Sequence, residues 1–464
     1  MKLIIAAILS VAAATLHAQQ PSPADIVRIG VDPHTVLEPI ADDFIGFGYE
    51  TSAVAHAGYF SANNTHLVQL YRTVSTHGLV RIGGIIGDHT RFEPEGTPLP
   101  RSMQDTTVIN KAVLADLGGF LRATGWRAMW TLNLGTGTKE EAAAEALAVN
   151  AALGDRLQSF EIGNEVDGLK RFDGYASYHM AYLDYKAAIR AALPGAVFSG
   201  PDSAGNVDWT VAFAETEAQD MKLLIHHYYR GGAKTAQATI ETLLSPHPEW
   251  ETKLQKLHDA CAGKGIAFRI NEVNSFYGGG KADVSDTFAS ALWCLDYMFR
   301  VAAHGGAGVN METDVNQLGF VSHYSPIFRD GNDQLSARPE YYGMLAFAMA
   351  GKGSLVKLTA SDTPLNLSAY ATKSGDGPVW VTIINKDLSR AATIELTPPA
   401  GCTMAEVFRL AAPSAQSKSD VTLAGARVSP DGTWAPGAAE KIVVAGNIPA
   451  LTLPAASAAL VRLR

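Results

Sequence analysis

Cysteine is scarce in this 464-residue chain: Cys261, Cys294 and Cys402 are all it has. An odd number leaves at least one thiol unpaired, and none of the three sits at a metal-ligand or redox spacing, so no essential disulfide and no metal site is expected. Cys294 falls in an apolar helical pattern and reads as a buried thiol. Basic residues are in deficit as well. Lys and Arg number 37 against 46 Asp and Glu, a formal charge of −9, which argues against nucleic acid and heavily sulfated polyanions, because both demand basic surfaces. No glycine-rich dinucleotide fingerprint follows a strand; Ile82-Gly83-Gly84-Ile85-Ile86-Gly87-Asp88 lacks the spacing. Gly278-Gly279-Gly280 has no phosphate-loop Lys-Ser/Thr after it. Internal repeats and low-complexity tracts are missing too. Long apolar runs are confined to the start, where Leu3 to Ala14 follows Met1-Lys2 and precedes Leu16-His17-Ala18 and the polar Gln19-Gln20-Pro21. That run is too short for a membrane span and has the parts of a signal peptide, residues 1–18. Export to the periplasm or the extracellular space is expected, with no membrane span and no cofactor.

What the chain does have is alternation. With 464 residues there is room for one large domain and a smaller one. Short apolar runs occur at Phe44 to Glu50, Leu79 to Gly83, Ala128 to Leu134, Ser159 to Ile162, Val197 to Gly200, Leu223 to Tyr228, Ala267 to Glu272 and Gly308 to Met311. Helical patterns separate most of them, among them Val108 to Thr124, Lys139 to Leu153, Tyr175 to Ala192, Glu249 to Gly263 and Ser285 to His304. Eight strands with helical crossovers favour an α/β fold of the (β/α)8 TIM-barrel type over an open doubly wound sheet. Beyond the helical stretch Pro339 to Gly351 the texture becomes one of short strands and regular turns, including Val379 to Asn385, Thr403 to Leu410 and Ala458 to Leu463. This predicts a C-terminal antiparallel β-sandwich. The expected division is a barrel over 43–350 and a sandwich over 351–464, with strands in 24–42 joining the sandwich.

Two stretches carry the chemistry. Glu161-Ile162-Gly163-Asn164-Glu165 closes one apolar run, and Asn271-Glu272 closes another about a hundred residues later. An isolated Glu in a strand-to-helix loop is most often a solvated charge, but two in matching contexts point elsewhere. Barrel enzymes place reacting groups at the C-terminal ends of strands. Glycosidic-bond hydrolysis needs one carboxyl group to protonate the leaving oxygen and one to attack the anomeric carbon, ~5–5.5 Å apart for retention of configuration. By strand count Glu165 closes the fourth and Glu272 the seventh, making Glu165 the acid/base and Glu272 the nucleophile. Asn164 is placed to hydrogen-bond a sugar hydroxyl, and Tyr228 to hold and aim Glu272. Adjacent His226 and His227 point to opposite faces of a strand, so one belongs to the core and the other to the site rather than both to a metal.

These blocks, with His226-His227-Tyr228-Tyr229, Asn274-Ser275-Phe276-Tyr277-Gly278-Gly279-Gly280 and Ser285-Asp286-Thr287-Phe288, resemble glycoside hydrolase family 79, which contains β-glucuronidases and heparanases. The resemblance runs from about Phe44 to Ala350. It implies a retaining β-glycosidase with Glu165 and Glu272 as acid/base and nucleophile. It further implies that Tyr277, Gly278 and Gly279 bind the carboxylate of a uronic acid, with Tyr324 as a second contact, and that Glu50 binds sugar hydroxyls, although Glu50 also suits a structural ion pair with Arg81. Successive glycine N–H groups suit an anion on physical grounds as well. Two departures stand out. Gly83-Gly84-Ile85-Ile86-Gly87-Asp88 replaces a pattern with a sugar-facing Asn, leaving Asp88 as a possible contact, and Asn310-Met311-Glu312-Thr313 replaces an Asn-aromatic-His arrangement. The expectation is an exo-acting β-glucuronidase of carbohydrate substrates, 4-O-substituted or not. The alternatives are a β-glucosidase or disaccharide-releasing enzyme, if Ile85 and Met311 reshape the pocket, and a catalytically inactive carbohydrate-binding protein.

Overall fold

In the computed structural model, residues 25–100, 106–444, 446 and 448–464 are described. Residues 1–18, where a signal peptide is expected, lie outside them. Eight parallel strands build the first domain: β1 (Gly46–Glu50), β2 (Leu79–Gly83), β3 (Arg127–Leu132), β4 (Leu157–Ile162), β5 (Gly200–Ser203), β6 (Leu223–Tyr229), β7 (Ala267–Asn274) and β8 (Val309–Thr313). They hydrogen-bond in the order β4-β3-β2-β1-β8-β7-β6-β5. Between β4 and β5 the ring is closed by a parallel bridge, Phe160 to Phe198, in which the Phe160 N–H donates to the Val197 carbonyl and the Ser199 N–H to the Phe160 carbonyl. The TIM-barrel expectation holds. The fifth strand begins later than the apolar run suggested, at Gly200 rather than Val197, because Phe198 meets β4 only in an isolated bridge and the pairing with β6 starts at Gly200.

Alternation along the strands sorts side chains into layers inside the barrel. Leu79, Met129, Leu223 and Ile225 fill the bottom. Two residues on, Arg81, Thr131 and His227 point to the same interior, now polar. The outward positions pack on the helices: the helix Phe288–Ala303 is buried nearly all round, as expected of a helix apolar on every face, and it contains the buried Cys294.

The second domain is one continuous ten-stranded sheet, mostly antiparallel. Two cores lie on its two faces because side chains alternate. Ile384, Phe408, Leu410, Ala458 and Leu460 join the barrel's core. Val381, Ile383, Val407, Ala459 and Val461 join a separate one. That second core also takes Ile394 and Leu453 from the far end of the same sheet, so the sheet curls over itself. The segment Ile26–Pro39 forms a single 14-residue strand; it runs antiparallel to Ser354–Ala360 and parallel to Ala392–Thr397.

Candidate active site

A fully buried arginine organises the centre of the barrel. Arg81 Nε donates to Glu161 at 3.2 Å, Nη1 to Glu272 at 2.6 Å, and Nη2 to Asn164 at 2.6 Å and Asp202 at 2.7 Å. Thr131 Oγ1 also donates to Glu161, at 2.8 Å, and Asn271 Nδ2 donates to Asp202 at 2.6 Å and to Glu161 at 3.1 Å. Asp202 and Asn271 reach this layer because each is the extra residue of a register shift, in β5 and β7 respectively. A bulge re-aims a side chain in this way. Asp202 has a left-handed backbone, φ 69°, uncommon for a residue with a Cβ.

Above this layer lies an open pocket of about 560 Å³, in the range of small-molecule sites. Glu50, Glu165, His227, Tyr229, Glu272 and Glu312 line it together with Ile85, Tyr277, Gly278, Phe320 and Tyr324. Glu272 is held at both oxygens, by Arg81 at 2.6 Å and by the Tyr229 hydroxyl at 2.8 Å. Glu165 is more open to solvent and lies 3.3 Å from His227 Nδ1. It also has a left-handed backbone, φ 46°, and such strain persists where the surrounding structure over-determines it. A ring nitrogen of His227 and one carboxyl oxygen each of Glu165 and Glu272 all lie within 4.8 Å of one another.

The charges are unbalanced. Burial opposes a charge on His227, but Asp202 at 2.7 Å and Glu272 nearby outweigh it and raise its pKa well above the usual value. A protonated imidazole has no lone pair for a metal. Asp202 is also buried, yet Arg81 and His227 hold its carboxyl below the ordinary range. Glu50 goes the other way, pushed up to about 8 by burial and by the Glu272 charge. Glu161 is raised by burial and by Asp202. With more carboxyls than cations, part of the cluster stays protonated at neutral pH.

Residues 348–460 match the glycosyl hydrolase family 79 C-terminal beta domain. Over 436 residues the chain is 24% identical to a β-glucuronidase of Neurospora crassa, covering 80% of this chain and 76% of that protein. It is 23% identical over 435 residues to a β-glucuronidase of Aspergillus niger, covering 83% and 79%. Among solved structures, a 4-O-α-L-rhamnosyl-β-D-glucuronidase from Fusarium oxysporum superposes with a TM-score of 0.78 at 19% identity, over 94% of this chain and all of that one. An α-L-arabinofuranosidase from Thermotoga maritima gives 0.70 at 15%, over 94% and 99%. The chain is a glycosyl hydrolase with a family 79 C-terminal domain.

The hydrolase brings Glu50, Glu165, Glu272, Tyr277, Gly278 and Tyr324 to one pocket. Gly278, Gly279 and Gly280 all have φ between 81° and 86°, a conformation open to glycine at no steric cost. Among the described residues the Gly278 and Gly279 N–H groups have no hydrogen-bond partner, whereas the Tyr277 N–H is spent on the Gly231 carbonyl. Tyr324 is buried and stacks on Tyr229 with ring centroids 6.2 Å apart. Asn164 gives its carbonyl to Arg81, which leaves its NH2 as the end available to a ligand.

Two expectations need correction, and the alternative reading of Glu50 falls away. Tyr228 does not hold Glu272: its hydroxyl meets His247 Nδ1 at 2.9 Å and its ring packs on Trp250 and Tyr297. Tyr229, one residue on and therefore on the opposite face, does that work. Asp88 is a backbone clamp outside the pocket lining, accepting from the N–H groups of Leu134, Gly135 and Asn164 at 2.8–3.0 Å. Glu50 makes no ion pair with Arg81; it accepts the Ile86 N–H at 2.8 Å. Of the two departures in sequence, Met311 is buried in the core and it is Glu312 that faces the pocket. His226 is the core histidine, hydrogen-bonded to Thr210 and stacked on Trp250. Arg81, Asp202 and Asn271 went unnoticed as site residues. The one signal was an arginine in the otherwise apolar run Leu79 to Gly83.

Proposed function

We propose that the hydrolase is an exo-acting retaining β-glucuronidase, with Glu165 as acid/base and Glu272 as nucleophile. The observation that carries this reading is the approach of their carboxyl oxygens to within 4.8 Å at the ends of β4 and β7, which suits a retaining pair and leaves little room for the wider, water-bearing gap of an inverting one. Arg81 and Tyr229 fix both oxygens of Glu272 so that one lone pair is aimed into the pocket. In the first step Glu165 gives its proton to the glycosidic oxygen as Glu272 bonds to the anomeric carbon and the aglycone leaves. In the second, Glu165, now a carboxylate, takes a proton from water, which displaces Glu272 and restores the original configuration. His227, charged and 3.3 Å from Glu165, steadies that carboxylate.

For the glycone, the support is the free Gly278 and Gly279 N–H groups beside the Tyr277 and Tyr324 side chains, a nest for an anion, together with the β-glucuronidase relatives. Chromogenic β-glucuronide and β-glucoside should be compared directly. Only the glucuronide should turn over appreciably, with the β-anomer formed first, and Glu165→Ala or Glu272→Ala should reduce kcat by on the order of a thousandfold or more. Preference for the glucoside would remove the uronic-acid assignment and leave the two-carboxylate mechanism; an α-anomer as first product would remove retention.

A further inference from the structure

A uronic acid entering this pocket meets an acidic wall. Glu312, on β8, is 2% exposed and lines the pocket, and among the described residues neither of its carboxyl oxygens has a hydrogen-bond partner. Its position is prepared by the backbone. On the neighbouring β1, paired in register with it, stands Gly48, where a Cβ would fall 2.3 Å from Glu312 Oε2. Any larger residue there would drive the carboxyl out of its place. The groups that face it are Glu50 from β1, Glu272 from β7, Arg81 from β2 and His227 from β6, with the Tyr229 and Tyr324 hydroxyls close enough to feel its charge. Arg81 and His227 are already committed to Asp202 and Glu272. A carboxylate buried with no donor is costly, whereas a carboxylic acid carries its own donor and can be kept neutral in such a place. Burial, Glu272 and Glu50 all act in that direction.

We propose that Glu312 is a specificity residue, a neutral carboxylic acid that donates its proton in a hydrogen bond to an oxygen of the glycone and thereby admits an anionic sugar. Its ionisation would set a second negative charge against the sugar's own and close the pocket to it. The inference rests on the glucuronidase reading and adds the means by which an acidic cavity accepts an acid.

The test uses the full chain, with chromogenic β-glucuronide, kcat and KM measured from about pH 5 to about pH 9, in the wild type and in Glu312→Gln, whose amide can donate but never ionises. In the wild type KM should climb by up to about tenfold per pH unit once Glu312 ionises. In Glu312→Gln that alkaline climb should disappear, while kcat keeps its own pH profile. Calorimetric binding of free D-glucuronate and D-glucose to the wild type gives a readout that needs no variant: glucuronate affinity should fall with pH in step with the KM, and glucose affinity should fall far less. A Glu312→Gln profile with the wild-type alkaline climb overturns the proposal. So does loss of glucuronide binding by that variant at every pH, which would mean that the ionised form is the one used, and so does a glucuronate affinity independent of pH. If the wild type hydrolyses no glucuronide at any pH, the glucuronidase reading itself has failed and the proposal falls with it.

Discussion

At the scale of single residues, the site is governed by which face of a strand each side chain occupies. Tyr228 and Tyr229 are neighbours in sequence and do unrelated work. Tyr229→Phe removes the hydroxyl that donates to Glu272 at 2.8 Å. Hydrogen bonds to a charged group contribute about 1.5–3 kcal/mol, so kcat/KM should fall roughly 10- to 100-fold. Tyr228→Phe, which loses the contacts of its hydroxyl to His247 and Arg230 and none to Glu272, should change kcat/KM far less. A larger loss in Tyr228→Phe would contradict the placement of these rings. Asp88 offers a contrasting case. Its three accepted N–H bonds tie the loop after β3, at Leu134 and Gly135, to Asn164 beside Glu165, and Asp88→Ala leaves buried donors unpaired. Destabilisation of roughly 3 kcal/mol or more is expected in denaturant melts, together with lower activity, since Asn164 loses its anchor. Two catalytic candidates were legible because strand, carboxylate and turn lie together in the chain. The clamp and the tyrosine were not, since a sequence does not say which of two adjacent residues turns inward.

At the scale of elements, the helix Lys139–Leu153 has the limits its pattern suggested, because its start is written locally. Thr138 and Glu141 form a capping box, which satisfies orphan N–H groups at the first turn. The same helix buries Glu145, which accepts a hydrogen bond from Trp130 Nε1 at 2.7 Å. Burial pushes the Glu145 carboxyl up from 4.5 to about 8. A folded-state pKa above the unfolded one means that the folded chain holds the proton longer. The stabilisation is therefore complete below about pH 4.5 and is lost as pH rises through about 8, by up to about 1.4 kcal/mol per unit. Glu145→Gln keeps the acceptor and removes the titration, so its melting temperature should decline less between about pH 5 and pH 8 than that of the wild type. Parallel curves for the two proteins would refute this. β5 shows the opposite of local legibility. The apolar run Val197 to Gly200 points to a strand, yet Phe198 makes only the isolated bridge to β4 and the strand is Gly200–Ser203, set by its pairing with β6.

At the scale of the whole molecule, the barrel and the curled sheet share a core. The helix Phe288–Ala303 lies between them, and its Asp296 accepts from the hydroxyl of Tyr370, on the sheet strand Leu367–Lys373, at 2.8 Å and from Nζ of Lys386, just beyond the strand Val379–Asn385, at 2.6 Å. The strand Ile26–Pro39 precedes the barrel in the chain but is built into the sheet, bridging Ser354–Ala360 and Ala392–Thr397 and giving Val27 and Ile29 to the second core. Deleting residues 26–39 would expose two strand edges and that core. Lower soluble yield and a melting temperature reduced by roughly 5 °C or more are expected; an unchanged melt would show that the strand is dispensable.

The sequence alone determined the class of fold and singled out the two glutamates as candidates, because hydrophobic period, helix caps and strand-end motifs are properties of neighbouring residues. The tertiary structure decided what lies between those points. Only closure of the barrel brings Arg81, Asp202 and Asn271 from three different strands under Glu165 and Glu272. Only the bulges at Asp202 and Asn271 turn those side chains inward. Only pairing with Gly48 gives Glu312 its place in the pocket wall. Each of these depends on residues far apart in the chain meeting in a low-dielectric interior, where an unpaired charge must find a partner or keep its proton.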